Sequence, residues 1–359
     1  MKYFWSLVTT LFVIVGSYGQ SIPKGADSLL NFIVANKAKA ALYLVKNDTL
    51  LAKLNESKPM PLASTVKIMV AVEFAKQAGS NIIDEESRVA LSELDKYYLP
   101  NTDGDAHPDW LAYEKAQNHI AQDSIKLIDV ARGMIMFSSN ANTEYLMDLL
   151  GLDNVKNNVQ LFALQQHSAI FPLVSSLFVY QNPKRAKEDK IIKAIKEMPE
   201  EQYCKFIAFI HSQLKYDSSF KAKFRPQDLS LKMQKLWSDR LTAGTAKEYA
   251  QICKILNGRK FLEPDAYGVL AEVLETLMEN PANRQWLKHA GGKGGSTAWV
   301  LTKATYATTK KNEAIELVYF FNNLSPQENE RLQGWANDFE LAVLASEGFR
   351  QQVRGALGR

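Results

Sequence analysis

Strand patterns sit at the two ends of this chain and are missing from its long middle, which limits the folds open to it. Ala40 to Val45 and Leu50 to Leu54 are short strand-like runs joined at Asn47-Asp48, a hairpin signal. Near the other end, Ala298 to Thr308 and Ala314 to Asn322 alternate like a second pair. Asp27 to Lys37 and Pro326 to Ala345 read as flanking helices, and Leu152 to about Asn280 is mostly helical in pattern. The expected fold is α/β in the α+β sense: an antiparallel sheet from both chain ends, flanked by helices, plus a helical subdomain. Residues 20–62 and 283–359 form the α/β part, and 63–282 the helical part. Within the latter, 182–226 reads as an insertion.

Composition supports a folded chain with a large core. Apolar residues make up 46% and charged residues 23%, and the net charge of +4 has no long runs, which argues against nucleic acid as a main partner. Residues 1–19 read as a secretory signal peptide, with a basic start, an uncharged apolar run from Tyr3 to Val15 and a small-residue ending. Cleavage near Gly19 or Gln20 would release a secreted or periplasmic protein with no stable membrane anchor. Cys204 and Cys253 have no partners at zinc spacing, and both a disulfide and two free thiols stay open.

Pro61 to Val70 is the stretch with the most chemistry. A turn rich in small residues opens an apolar helix in which Val66, Met69, Val70 and Phe74 recur at helical spacing. Ser64 and Lys67 lie one turn apart on one face. A serine hydroxyl is a poor nucleophile until a neighbour takes its proton. Lysine does so only if its pKa falls from about 10.4 to about 7, a cost of about 4 kcal/mol that burial has the right sign to supply. The helix start also offers backbone N–H groups suited to an oxyanion. Ser-x-x-Lys alone is common by chance.

Two further stretches alter that reading. Ser124 to Phe137 reads as an apolar helix ending at Ser138-Ser139-Asn140, and Ala141 to Leu150 begins another. Ser138 and Asn140 suit helix capping in isolation. Lys293-Gly294-Gly295 lies in a glycine-rich turn entering a strand, where a lysine in isolation is simply solvated. Between these motifs, Leu91 to Asp109 holds Tyr97, Tyr98, Asp103, Asp105 and Asp109 around a glycine. Its spacing is not that of an EF-hand, so we read a surface loop near a cleft, with aromatic residues available to substrate and no metal.

Taken together, Ser64-x-x-Lys67, Ser138-Ser139-Asn140 and Lys293-Gly294-Gly295 resemble the S-x-x-K, S-D-N and K-T-G motifs of serine β-lactamases and penicillin-binding proteins. The layout is most similar to the class A β-lactamases, across nearly the whole mature chain. The resemblance implies a β-lactamase/transpeptidase-like fold with no cofactor. It assigns Ser64 as acylated nucleophile, Lys67 as its base or relay, and Ser138 as proton donor to the leaving group. Asn140 would orient substrate and Lys67, and Lys293 would attract a substrate carboxylate. The backbone N–H groups of Ser64 and Ser296 would form the oxyanion hole, with Gly294, Gly295 and Thr297 contacting substrate.

Three departures qualify it. Ser139 stands where the family has aspartate, and Gly294 where it has a hydroxyl residue. The stretch His167 to Ser176 contains no acid, although class A enzymes place there the glutamate that positions the deacylating water. Glu144, one helical turn after Asn140, is a substitute base or a surface or capping carboxylate. The implied function is an exported serine hydrolase forming an acyl-enzyme at Ser64, acting on a small-molecule or peptide amide or ester that includes cell-wall peptides. A β-lactamase and a non-turning-over penicillin- or peptide-binding protein are the alternatives.

Overall fold

The computed structural model describes residues 23–358, so the proposed signal segment and its cleavage site lie outside the described residues. The main sheet has five antiparallel strands in the order Thr49–Leu54, Ala40–Lys46, Ala314–Phe321, Leu301–Thr309, Leu287–Ser296. The N-terminal hairpin turns at Asn47 and Asp48, whose φ angles of 47° and 65° are those of a tight two-residue turn. Ala40 pairs with Phe321, so the two chain ends meet inside one sheet.

One face of this sheet is covered by Lys24–Ala35, Pro326–Ala345 and Glu347–Leu357. The last helix was not expected. A capping box of Ser325 and Glu328 starts the long helix, and Ser346 caps its successor. The other face packs on the helical half. At the centre of that half is Lys67–Gly79, whose residues Ile68 to Ala75 are all buried. Its middle is apolar on nearly every side, with the one acid, Glu73, paired to Lys76 at 2.7 Å, and such a helix belongs inside a core. Among the described residues no helix is long and apolar enough to cross a membrane.

Several sequence readings shift at their edges. Ser124–Lys126 is a short strand, and the helix begins at Leu127, ending at Met136. The expected glycine-rich turn is not a turn: Lys293, Gly294 and Gly295 lie within the edge strand Leu287–Ser296, paired with Ala304, Lys303 and Thr302. Within the expected insertion, Glu188–Glu197 and Glu200–Tyr216 are helices, followed by Leu231–Asp239. Ile195, Tyr203, Ile207, Ile210, Leu214 and Trp237 form their core with Leu173–Leu177, while Lys187, Lys190, Lys193 and Lys196 face solvent. Cys204 and Cys253 are free thiols.

Candidate active site

Ser64 stands in a short 3-10 turn, Ala63–Val66, that runs directly into Lys67–Gly79. Ala63, just before it, has a left-handed φ of 46°. Such a conformation costs a non-glycine residue about 1–3 kcal/mol and persists only where its surroundings hold it. Those surroundings are the edge strand Leu287–Ser296 and its neighbour Leu301–Thr309. Thr65 Oγ1 donates to Thr302 Oγ1 at 2.8 Å, and Thr302 Oγ1 donates to Leu62 O at 2.8 Å, all buried. Gly295 closes the contact: a Cβ there would lie 2.4 Å from Ser64 N and 2.8 Å from both Leu62 O and Thr65 N. Glycine is therefore required for the close approach of strand to turn, not for an unusual φ.

Lys67 is fully buried at the foot of the cleft. Its Nζ donates to Ser138 O at 2.7 Å and Asn140 Oδ1 at 2.8 Å, with Ser138 Oγ at 3.2 Å. Burial first, and the Lys293 charge second, hold its pKa well below the ordinary lysine range. Ser138 reaches this position with a left-handed φ of 68°. Ser139, the departure from the family motif, is the N-cap of Asn140–Leu150, accepting from Asn142 N at 3.2 Å. It also contacts His107 Nδ1 at 2.9 Å. Burial lowers the His107 pKa to about 4, so that ring is neutral at pH 7. Capping is thus the work of Ser139, leaving its neighbours Ser138 and Asn140 to meet Lys67.

Lys293 donates to Gly294 O at 2.8 Å. Burial and the nearby Lys303 lower its pKa to about 7. Lys303 extends to the other face of the sheet, where it pairs with Glu340 at 2.9 Å. Gly294 is opposite Lys303 in register, and a Cβ on it would meet Thr302 O at 3.3 Å and Lys303 Cδ at 3.4 Å. Alternation along the strand puts Gly295 on the Ser64 side and Gly294 on the Lys303 side. A side chain at 294 would therefore project away from the Ser64 turn, and Gly294 meets the cleft with its backbone.

These residues border one cleft of about 730 Å³ including its open mouth. Ser64, Ser138, Asn140, Lys293, Gly294, Gly295, Ser296 and Thr297 all line it. The Thr297 hydroxyl is also engaged with Ser238 Oγ, at 2.7 Å. The sequence reading missed other lining residues. Trp237 and Gln234 come from Leu231–Asp239, and Trp299 from the loop after Thr297. Asp103 lines the cleft as well, and no pattern in its loop distinguished it from Asp105 and Asp109. The tyrosines expected to touch substrate do not line it. Tyr97 is buried and stacked on His211 with centroids 5.2 Å apart, and Tyr98 leans on His107.

Glu144 resolves as a capping carboxylate. It is fully buried and accepts from Val174 N at 2.7 Å, Ser175 N at 3.0 Å, the Ser175 hydroxyl and His211 Nδ1 at 3.1 Å. It thereby fixes the start of Leu173–Leu177 and joins it to the inserted helix. Burial opposes charge on His211, but its hydrogen bonds to Asp148 and Glu144 outweigh this and raise its pKa to about 9. A pKa raised above the ordinary 6.5 stabilises the fold fully below that pH and loses its effect as pH rises through about 9. Wild-type stability is therefore expected to fall by about 1–3 kcal/mol relative to His211→Gln between pH 6 and pH 10. Urea unfolding across that range checks it, and parallel curves for the two proteins would refute it.

The sequence model of the beta-lactamase enzyme family matches residues 26–266. No curated protein matches the sequence. Among solved structures, the β-lactamase from Sphaerobacter thermophilus aligns at 14% identity over 90% of this chain and 97% of its own, with a TM-score of 0.54. A class A β-lactamase from Bacteroides cellulosilyticus aligns at 13% identity over 92% and 100%, with a TM-score of 0.51. A mutant of PBP-A, in an acyl-enzyme complex with penicillin G, aligns at 15% identity over 88% and 96%, with a TM-score of 0.50. At such identities these structures speak for the fold, with its antiparallel five-stranded sheet and helical half. The family model covers most of the chain and runs through Ser64, Lys67, Ser138 and Asn140, and on that ground the chain belongs to the beta-lactamase enzyme family.

Proposed function

We propose that this chain is an exported serine hydrolase that forms an acyl-enzyme at Ser64 from a small-molecule or peptide amide or ester. The observation that carries the reading is the environment of Lys67. A neutral amine has two protons, and Ser138 O and Asn140 Oδ1 are placed to accept them. Its lone pair then remains for a hydroxyl proton, and burial keeps the neutral form populated.

The proposed reaction uses the site in order. Ser64 Oγ attacks the carbonyl carbon as its proton passes to Lys67 Nζ. The carbonyl oxygen takes the negative charge and is met by the N–H groups of Ser64 and Ser296. Ser138 gives its hydroxyl proton to the leaving atom and is reprotonated from Lys67. Lys293, charged below about pH 7, attracts a carboxylate on the substrate. Water or another acceptor then removes the acyl group from Ser64.

Release is the weak step. No acid occurs from His167 to Ser176, and the hydrogen bonds of Glu144 are taken by the Leu173 turn and His211. Losing a positioned base slows a step by about 100- to 10,000-fold. Penicillin G is therefore expected to label the protein at Ser64 and stay on for many minutes, with a burst of one equivalent before slow turnover. Intact-protein mass after mixing with penicillin G or a fluorophosphonate, for wild type and Ser64→Ala, tests this. Equal labelling of the alanine variant would remove Ser64 from the reaction. Rapid loss of the penicilloyl adduct would mean that the chain is an efficient β-lactamase.

A further inference from the structure

Among the described residues, Asp103 is the only acidic one that lines the cleft. It comes from the turn before Ala106–Ala116, and one of its oxygens accepts from His107 N at 3.1 Å. The backbone N–H of Asn140 favours the ionised Asp103 carboxylate, while its side chain accepts from Lys67 Nζ at 2.8 Å. The same residue thus acts on the acid through its main chain and bonds the amine through its amide. The second oxygen, Asp103 Oδ1, is buried from water with no hydrogen-bond partner. A buried carboxylate oxygen left unpaired needs an explanation, because it costs the fold free energy.

When Lys67 accepts the Ser64 proton it becomes a buried ammonium. The Lys293 charge, of the same sign, opposes it. We propose that Asp103 is the counter-charge that stabilises Lys67 as an ammonium while it carries the Ser64 proton. This rests on the acyl-enzyme reading above and adds a positioning residue to it. The proton passes from Ser64 Oγ to Lys67 Nζ as the bond from Oγ to the carbonyl carbon forms. It leaves through Ser138 to the departing atom, so Asp103 itself neither gains nor loses a proton.

The electrostatics of the pair agree in sign. Burial raises the Asp103 pKa to about 6, with Lys67 the largest opposing influence, so the carboxylate is ionised at pH 7.5. Asp103 is also an influence raising the Lys67 pKa, against burial and Lys293. The other titratable groups facing the pair are Asp105 and Tyr98 beside Asp103. The proposed role differs from that of a proton acceptor for water, since it acts on acylation and through Lys67.

The test reads Lys67 directly and does not require turnover. In protein labelled with carbon-13 at lysine Cε, the Lys67 resonance, assigned with Lys67→Met, is followed against pH in wild type and Asp103→Asn. Removing the anion is expected to lower the Lys67 pKa by about one to two pH units. A merely structural role for the carboxylate would leave it in place, and an unchanged or raised value overturns the proposal. Asp103→Ser serves as a second variant, and thermal melts of both confirm folding. Fluorophosphonate labelling of wild-type Ser64 is measured separately. Its absence would defeat the acyl-enzyme reading, while the titration alone decides whether Asp103 and Lys67 are coupled.

Discussion

Lys67→Met is expected to slow acylation of Ser64 by about 100- to 10,000-fold while leaving the protein folded. Methionine matches lysine in length and flexibility and fills the same buried channel without a charge to desolvate. The loss falls on chemistry because the amine is the one group placed between Ser138 and Asn140. Removing it leaves Ser138 O and Asn140 Oδ1 without that donor, at about 1–3 kcal/mol each where no water enters. Relief from burying an amine offsets part of this. The measurement is the second-order rate of fluorophosphonate labelling, followed by intact mass, beside a thermal melt. Labelling within a factor of three of wild type would show that another group takes the serine proton.

Gly295→Ala is expected to be nearly as damaging, by geometry rather than charge. The new methyl would sit 2.4 Å from Ser64 N, and its three nearest neighbours are all backbone atoms, which cannot rotate aside. Strand and turn must part, which costs about 1–3 kcal/mol of stability by overpacking. A displacement of about 1 Å at a reacting group costs about 100-fold in rate. Gly294→Ala, one residue away, provides the control. Its methyl meets Thr302 O at 3.3 Å and the flexible Lys303 chain at 3.4 Å, so a small adjustment accommodates it. Labelling rates for the two alanine variants should differ by at least tenfold. Equal rates would mean that the contact between Gly295 and Ser64 does not set the position of the nucleophile.

The layout of the fold was readable because hydrophobic pattern and turn chemistry agreed at both ends. Asn47-Asp48 between two apolar runs marks a hairpin, and the structure has one. Ser64 and Lys67 were readable because helical spacing fixes which side chains share a face. Asp103 was not, because three similar acids lie within seven residues and only tertiary packing turns one of them inward. Trp237 escaped for a related reason: its helix lies far along the chain, and only folding brings it to the cleft. Glu144 shows the same limit. Its helical face was predictable, but the backbone N–H groups of Val174 and Ser175 that occupy it were not.

The pairing of Ala40 with Phe321, and of Gly295 with the Ser64 turn, has a consequence for when the protein becomes reactive. Ser64 is made early and the strand that shapes its turn is made late. Until synthesis has delivered the strand ending at Phe321, the N-terminal hairpin lacks that neighbour in the sheet, and until Gly295 and Thr302 are in place, Ala63 lacks the contacts that hold its left-handed turn. Contacts spanning so much of the chain also form slowly, since the loop must close before they can contribute. A nascent chain therefore carries Ser64 as an ordinary hydroxyl, and the turn that the proposed acylation requires is set only when the last strands close the sheet.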